Sequence, residues 1–269
     1  MVSGLTSVGS MFANHPQFVV AEQSTATCST HGEYQQTKYQ SGRVTKCPEC
    51  EREREQQRIA DEKAAQLREA AERKSKLIDE LIGNSGIPKR FLGKTLKSYQ
   101  VSCKEQQDVI NDAKAFLIEF SSPQGHSGRC MTMLGNTGTG KSHLACAVAL
   151  CVIKRYGGTA RFSSVSEINR LVRESKSYNT KYSETEVIEA FGNYDLLIVD
   201  EVGIQSGTDA ESRALFDVFN ARYQNVKPTI VISNLTKDQL TVALGERIVD
   251  RLKEGGGEIL SFNWQSYRG

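Results

Sequence analysis

Residues Gly135-Asn136-Thr137-Gly138-Thr139-Gly140-Lys141-Ser142 constrain what this chain can fold into more than any other segment. They match G-x-x-x-x-G-K-[ST], a pattern that works only as the turn between a strand and a helix. The apolar-leaning stretch 130–134 precedes the loop and the helix-favouring run 143–153 follows it, which is the setting the pattern needs. Glycines let the backbone curl until several N–H groups point inward, an anion nest at a helix N-terminus. Lys141 then reaches the β- and γ-phosphates of a nucleotide, and Ser142 holds Mg²⁺. Gly135 through Ser142, with His143 behind them, are therefore the expected contacts of ATP or GTP.

A second segment supports the first. Leu196-Leu197-Ile198-Val199-Asp200-Glu201 is an apolar run ending in two carboxylates. Such a run reads as a strand buried on both faces, and ligands of open α/β sheets sit at strand carboxyl ends. Asp200 is placed to join the Mg²⁺ shell, and Glu201 to orient or deprotonate the attacking water. Neutralising charge while positioning water is what hydrolysis of a phosphoanhydride requires.

With 269 residues the chain has room for one moderate domain and a smaller module. The net charge of +2 gives no global basic field, so any nucleic-acid contact must come from local patches. No apolar run approaches a membrane span, and residues 1–20 lack the basic start and apolar core of a secretion signal. The seven cysteines read as reduced, cytoplasmic thiols rather than a disulfide framework.

Four pieces follow along the chain. Residues 1–27 are rich in Ser, Thr, Gly and Gln without periodicity and are expected to form a mobile tail. Residues 28–50 carry Cys28-Ser29-Thr30-His31 and, fifteen residues on, Cys47-Pro48-Glu49-Cys50. Two close pairs of soft or borderline ligands can close a tetrahedral, structural Zn²⁺ site, with a small hairpin expected in 32–46. The alternative is a set of free thiols beside a surface histidine. Residues 51–86 are a charged linker whose helix, 51–82, stops at Gly83-Asn84-Ser85-Gly86-Ile87-Pro88. Ala60, Ala64, Leu67, Ala71, Ile78 and Leu81 form a weak stripe on it, suited equally to a solvated spacer or a docking helix.

Residues 87–269 alternate strand and helix patterns, which suggests a parallel sheet covered by helices. Strands are expected at 130–134, 159–163, 196–200, 229–233 and 258–262. Helices are expected at 106–120, 142–153, 165–175, 184–191, 210–223, 237–244 and 246–253. Cys130, Cys146 and Cys151 read as small core residues. Asn234 ends the fourth strand, where it can sense a γ-phosphate or hold water. Arg247 and Arg251 lie i, i+4 on one helical face. An arginine delivered to a neighbour's γ-phosphate can supply much of a hydrolysis rate, although a pair of ordinary surface arginines has the same spacing.

Taken together, the Gly135–Ser142 loop, Leu196–Glu201, Asn234, Gly245–Arg251 and the string Phe262-Asn263-Trp264-Gln265-Ser266-Tyr267-Arg268 resemble the DnaC-type bacterial and phage replicative helicase loaders. These are AAA+ ATPases related to the initiator DnaA and the transposition helper IstB. The resemblance begins at Gly86-Ile87-Pro88-Lys89-Arg90-Phe91. It implies an α/β P-loop core with a five-stranded parallel sheet and no C-terminal helical lid, and the short stretch after Asn234 agrees with that. By the same resemblance Asn234 matches sensor 1, Arg251 the arginine finger with Arg247 as runner-up, and Arg268 a sensor-2-like arginine. The cysteine–histidine cluster is closer to the DnaI-type N-terminal zinc module than to the helical DnaC one.

The implied activity is ATP hydrolysis with Mg²⁺, used as a switch while a hexameric replicative DNA helicase is loaded onto single-stranded DNA. The implied partners are that helicase, single-stranded DNA and further copies of this chain, with no membrane. Arg170, Arg173 and Lys176, with Tyr178 as a stacking face, are the expected DNA contacts, although a solvated helix face has the same composition. The alternative from the same resemblance is an IstB-like transposition helper acting on duplex DNA with a transposase.

Overall fold

The computed structural model describes residues 19–122, 125–176, 182–203 and 209–267, and two compact units meet between Lys74 and Ser75. The first unit opens with two antiparallel strands, β1 (Val20–Cys28) and β2 (Gly32–Tyr39), with Cys28 opposite Gly32 at the turn. Two expectations are corrected here. Residues 20–27, read as tail, supply a strand, and the hairpin is 20–39 rather than 32–46. Residues 40–46 fold back on the end of β2 outside a named strand, with the bridge Lys38 to Val44 and hydrogen bonds from Tyr39 N–H to the Arg43 carbonyl (2.8 Å) and Thr45 N–H to the Thr37 carbonyl (2.9 Å). The cause is compositional: Glu22-Gln23-Ser24-Thr25-Ala26-Thr27 is polar on both faces, so no apolar alternation marks it. Gly32, at φ +80°, turns the chain in a conformation other residues avoid.

Helix α1 (Pro48–Asn84) starts three residues before the expected residue 51, with Pro48 in the first turn where its missing N–H costs nothing. Residues 51–74 are exposed without exception, held by local pairs such as Arg73 to Glu69 at 2.6 Å. The weak apolar stripe divides accordingly. Leu67 stands 64% exposed, whereas Ile78, Leu81 and Ile82, in the second unit, pack onto that unit's core.

That core is built on β3 (Met131–Gly135), β4 (Ala160–Ser164), β5 (Leu196–Val202), β6 (Thr229–Ser233) and β7 (Glu258–Phe262). All neighbours are parallel, in the order β4-β5-β6-β3-β7. Alternation sorts their side chains between two cores. Met131, Met133, Leu196, Ile198, Ile230 and Ile232 enter one; Leu134, Leu197, Val199 and Val231 enter the other. Helices α2 (Lys104–Ile118) and α3 (Lys141–Cys151) cover the first face. Helices α4 (Val165–Glu174), α5 (Glu184–Asn193), α6 (Asp209–Gln224), α7 (Lys237–Leu244) and α8 (Glu246–Lys253) cover the second. Burial on both faces explains why these strands read as unbroken apolar runs.

The strand order has a functional consequence. β3 lies between β6 and β7, so the chain crosses over in opposite directions on its two sides, and such switch points open a crevice at strand carboxyl ends. β6 in turn separates β3 from β5, so its last residues fall between the glycine-rich loop and the carboxylates.

A buried charge holds the opposite edge. Arg222 on α6 is only 1% exposed and donates to the carbonyls of Phe191 (2.6 Å), Tyr194 (2.9 Å) and Pro228 (2.6 Å), and to Thr229 Oγ1 (2.9 Å). Burial pushes its guanidinium down to about 9. Replacing it leaves three carbonyls short of a partner. Arg222→Met is therefore expected to cost about 3 kcal/mol or more, read as a fall in the urea midpoint. An unchanged midpoint would show that these bonds do not hold the edge.

Candidate functional site

β3 ends at Gly135, whose missing side chain permits its pairing with β7: a Cβ there would lie 2.3 Å from the Phe262 carbonyl oxygen. Gly138 (φ +83°) and Gly140 (φ +94°) then turn the loop through left-handed conformations into α3. Lys141 is buried, and its Nζ donates to the carbonyls of Gly135 (2.6 Å) and Asn136 (2.7 Å) inside the loop. Burial lowers its ammonium below the ordinary lysine value, against the pull of Asp200. Ser142 Oγ donates to Asp200 Oδ2 at 3.1 Å, and the Glu201 backbone N–H donates to Asp200 Oδ1 at 2.7 Å.

Glu201 has φ +61°, a left-handed conformation shared by one other non-glycine residue, Val226, among the described residues. Such backbone costs of order 1 kcal/mol or more and collects at functional sites. The turn lets an exposed Glu201 face the same cavity as Asp200, although alternation along a regular strand would part them. Asn234, just past β6, is exposed at the same place. Gly138, Lys141, Ser142, Asp200, Glu201 and Asn234 line one cavity of about 530 Å³, a size that suits a nucleotide.

The family described as IstB-like ATP binding protein matches residues 68–269, well over half of the chain. The chain belongs to that family. Replicative helicase loader DnaC of Escherichia coli (strain K12) is 29% identical over 186 residues, 68% of this chain and 73% of the relative. Replicative helicase loader DnaC of Buchnera aphidicola subsp. Baizongia pistaciae (strain Bp) is 28% identical, over 74% of this chain and 80% of the relative. Among solved structures, the DnaC helicase loader is similar with a TM-score of 0.58 at 22% identity, covering 65% of this chain and 99% of that one. DnaI is similar with a TM-score of 0.54 at 20% identity, covering 66% and 95%. These likenesses establish the AAA+ type of fold expected from the sequence.

The other expected residues of this IstB-like chain lie elsewhere. Arg251 is not at the chain's own nucleotide cavity. It lines a second cavity of about 390 Å³ near the amino ends of the strands, its guanidinium 5.0 Å from the rings of both Phe216 and Tyr223. Arg247 is exposed on α8. On α4, Arg170 pairs with Glu174 (2.9 Å) and Arg173 is exposed; just past α4, Lys176 pairs with Glu184 (3.0 Å). Tyr178 and Arg268 lie outside the described residues. His143 lines the nucleotide cavity, with Nε2 3.2 Å from Ser98 Oγ. Cys130 and Cys146 are buried core residues as expected, and Cys151 is half-buried.

Sequence reading missed three residues that touch the loop, two through side chains and one through its backbone N–H. Tyr99 Oη and Trp264 Nε1 both donate to the Thr139 carbonyl, at 3.0 and 2.9 Å, and Tyr267 N–H donates to the Gly138 carbonyl at 2.9 Å. Trp264 and Tyr267 sat in a recognised string without a role, and nothing local marks Tyr99.

In the first unit, Cys28, His31, Cys47 and Cys50 present four ligand atoms within 4.8 Å of one another. Cys28 Sγ to Cys50 Sγ is 3.5 Å, and His31 Nδ1 lies 3.3 to 3.8 Å from the three sulfurs. Tetrahedral zinc with ordinary bond lengths needs edges of about 3.4 to 3.8 Å, so the set fits. The turn between β1 and β2 carries Cys28 and His31, and the start of α1 carries Cys47 and Cys50. Backbone N–H groups of Thr30 and His31 draw the Cys28 thiol down to about 6, favouring the thiolate that a metal needs. One turn further along α1, Glu53 Oε1 sits 3.1 Å from His31 Nε2 and leaves Nδ1 to face the sulfurs. Glu53→Ala is expected to weaken zinc binding roughly tenfold to a hundredfold in competition with a chelator dye. Unchanged affinity would show that His31 needs no such support.

Proposed function

We propose that this chain is a helicase loader of the DnaC type, an ATP-hydrolysing switch that places a hexameric replicative helicase on single-stranded DNA. The observation carrying it is the joined constellation of Lys141, Ser142, Asp200, Glu201 and Asn234 in one cavity, in a chain most of whose length aligns with relatives named replicative helicase loaders. In this reading the N–H groups of the loop and Lys141 bind the nucleotide phosphates, Lys141 leaving its carbonyl partners to do so. Ser142 and Asp200 would hold Mg²⁺, which would supply charge neutralisation at the phosphates.

Glu201 takes a proton from the attacking water as its oxygen bonds to the γ-phosphorus. The bond from that phosphorus to the bridging oxygen breaks, giving ADP and phosphate. Asn234 stands between loop and carboxylates, where it can report whether the γ-phosphate is present. Arg251, turned away from its own chain's cavity, acts on a nucleotide held by another copy. Arg173 offers phosphate contact to DNA, joined by Arg170 and Lys176 once their carboxylate partners are displaced. Cys28, His31, Cys47 and Cys50 would hold zinc, which would tie the small hairpin to the first turn of α1 and give a built surface for a protein partner.

A loader of this kind is a two-state device, and its nucleotide must bind the two states with different affinity. Native mass spectrometry of the chain mixed with the hexameric replicative helicase of the same genome tests this. A complex should form with a non-hydrolysable ATP analogue and be depleted with ADP. It should retain a single-stranded oligonucleotide, and retain it more weakly with Arg173→Ala. No complex under either nucleotide would overturn the reading.

A further inference from the structure

The chain's end touches the phosphate loop from outside, at carbonyls the expected chemistry leaves unused. We propose that Tyr99, Trp264 and Tyr267 form a strap of positioning residues that presets the loop for phosphate. This rests on the nucleotide-switch reading above and adds residues to it.

Backbone geometry carries the argument. A trans peptide is planar, and its C=O and the following N–H point in opposite directions. Tyr267 N–H holds the Gly138 carbonyl, and Tyr99 Oη with Trp264 Nε1 hold the Thr139 carbonyl. Pinning these two carbonyls toward the strap turns the N–H groups of Thr139 and Gly140 away from it, toward the loop's concave side. Those N–H groups belong to the nest that receives phosphate oxygens.

The strap is itself anchored at both ends. Tyr267 Oη donates to the Gln100 carbonyl at 2.7 Å, next to Tyr99, and the Trp264 ring packs on Phe262 of β7 at 4.8 Å. The Tyr99 ring packs edge-on against Tyr267 (6.0 Å) and His143 (5.3 Å). A Cβ on Gly140 would lie 2.8 Å from Tyr99, so ring and loop are in direct contact. Two segments far apart in the chain thus close on two adjacent peptides.

Because one carbonyl receives two donors, either donor alone keeps it turned outward. Calorimetric titration with ATP and Mg²⁺ should therefore give a loss of about threefold or less for Tyr99→Phe or Trp264→Phe, and about tenfold or more for the double variant. The double variant's nucleotide-free melting temperature is measured alongside. A double variant that binds ATP within twofold of wild type, or loses affinity only as the sum of the singles, overturns the strap.

Trp264 is the chain's one tryptophan, so its indole N–H gives a single resonance in a ¹⁵N spectrum. In the wild-type chain, that proton should resist exchange with and without ATP. Rapid exchange overturns the strap even if the double variant does not fold. A wild-type chain that binds no ATP overturns both the strap and the nucleotide switch, whereas wild-type binding with an unaffected double variant overturns the strap alone.

Discussion

The hydrogen bond from Ser142 to Asp200 joins the two halves of the nucleotide site, and most of the second unit's architecture makes that bond possible. Ser142 opens α3 and Asp200 lies near the end of β5, two strands away from β3. They meet because β6 is inserted between β3 and β5 and all these strands run parallel, so their carboxyl ends open on one side. The same insertion puts Asn234 between the loop and the carboxylates. A different strand order with identical local motifs would leave the loop and Asp200 apart.

The loop itself is constrained from two directions. Inside, Lys141 donates to two of its carbonyls, Gly135 and Asn136. Outside, Tyr99, Trp264 and Tyr267 hold two further carbonyls. Glycines at 135 and 140 are what allow this crowding, because β7 and Tyr99 stand where side chains would otherwise be. Arg251 follows a different logic. Its guanidinium lies 5.0 Å from the rings of Phe216 and Tyr223 near the amino ends of the strands, away from the cavity at their carboxyl ends.

Much of this was legible in the sequence where burial left a period. Leu196 to Val199 and Thr229 to Ser233 read as strands because both faces are covered. The loop, Asp200, Glu201 and the clustered Cys28, His31, Cys47 and Cys50 were legible because the chemistry expected of them demands fixed spacings. Strand β1 was not legible, since its polar residues face solvent on both sides and its order comes from pairing with β2 beside the cysteine–histidine cluster. Arg222 looked like any surface arginine, because its carbonyl partners come from segments brought close only by the fold. Tyr99 was hidden for the same reason: its partner is forty residues away and is a backbone carbonyl, which carries no sequence signal.

The most direct test of the central claim, that this cavity is a Mg²⁺-dependent ATP site keyed by the loop lysine, is a calorimetric titration of ATP into the wild-type chain and Lys141→Ala. The account predicts one site per wild-type chain with Mg²⁺ and a loss of roughly tenfold to a hundredfold in the variant, the worth of a charged hydrogen bond to phosphate. Equal binding by the two proteins would place the nucleotide elsewhere and contradict it.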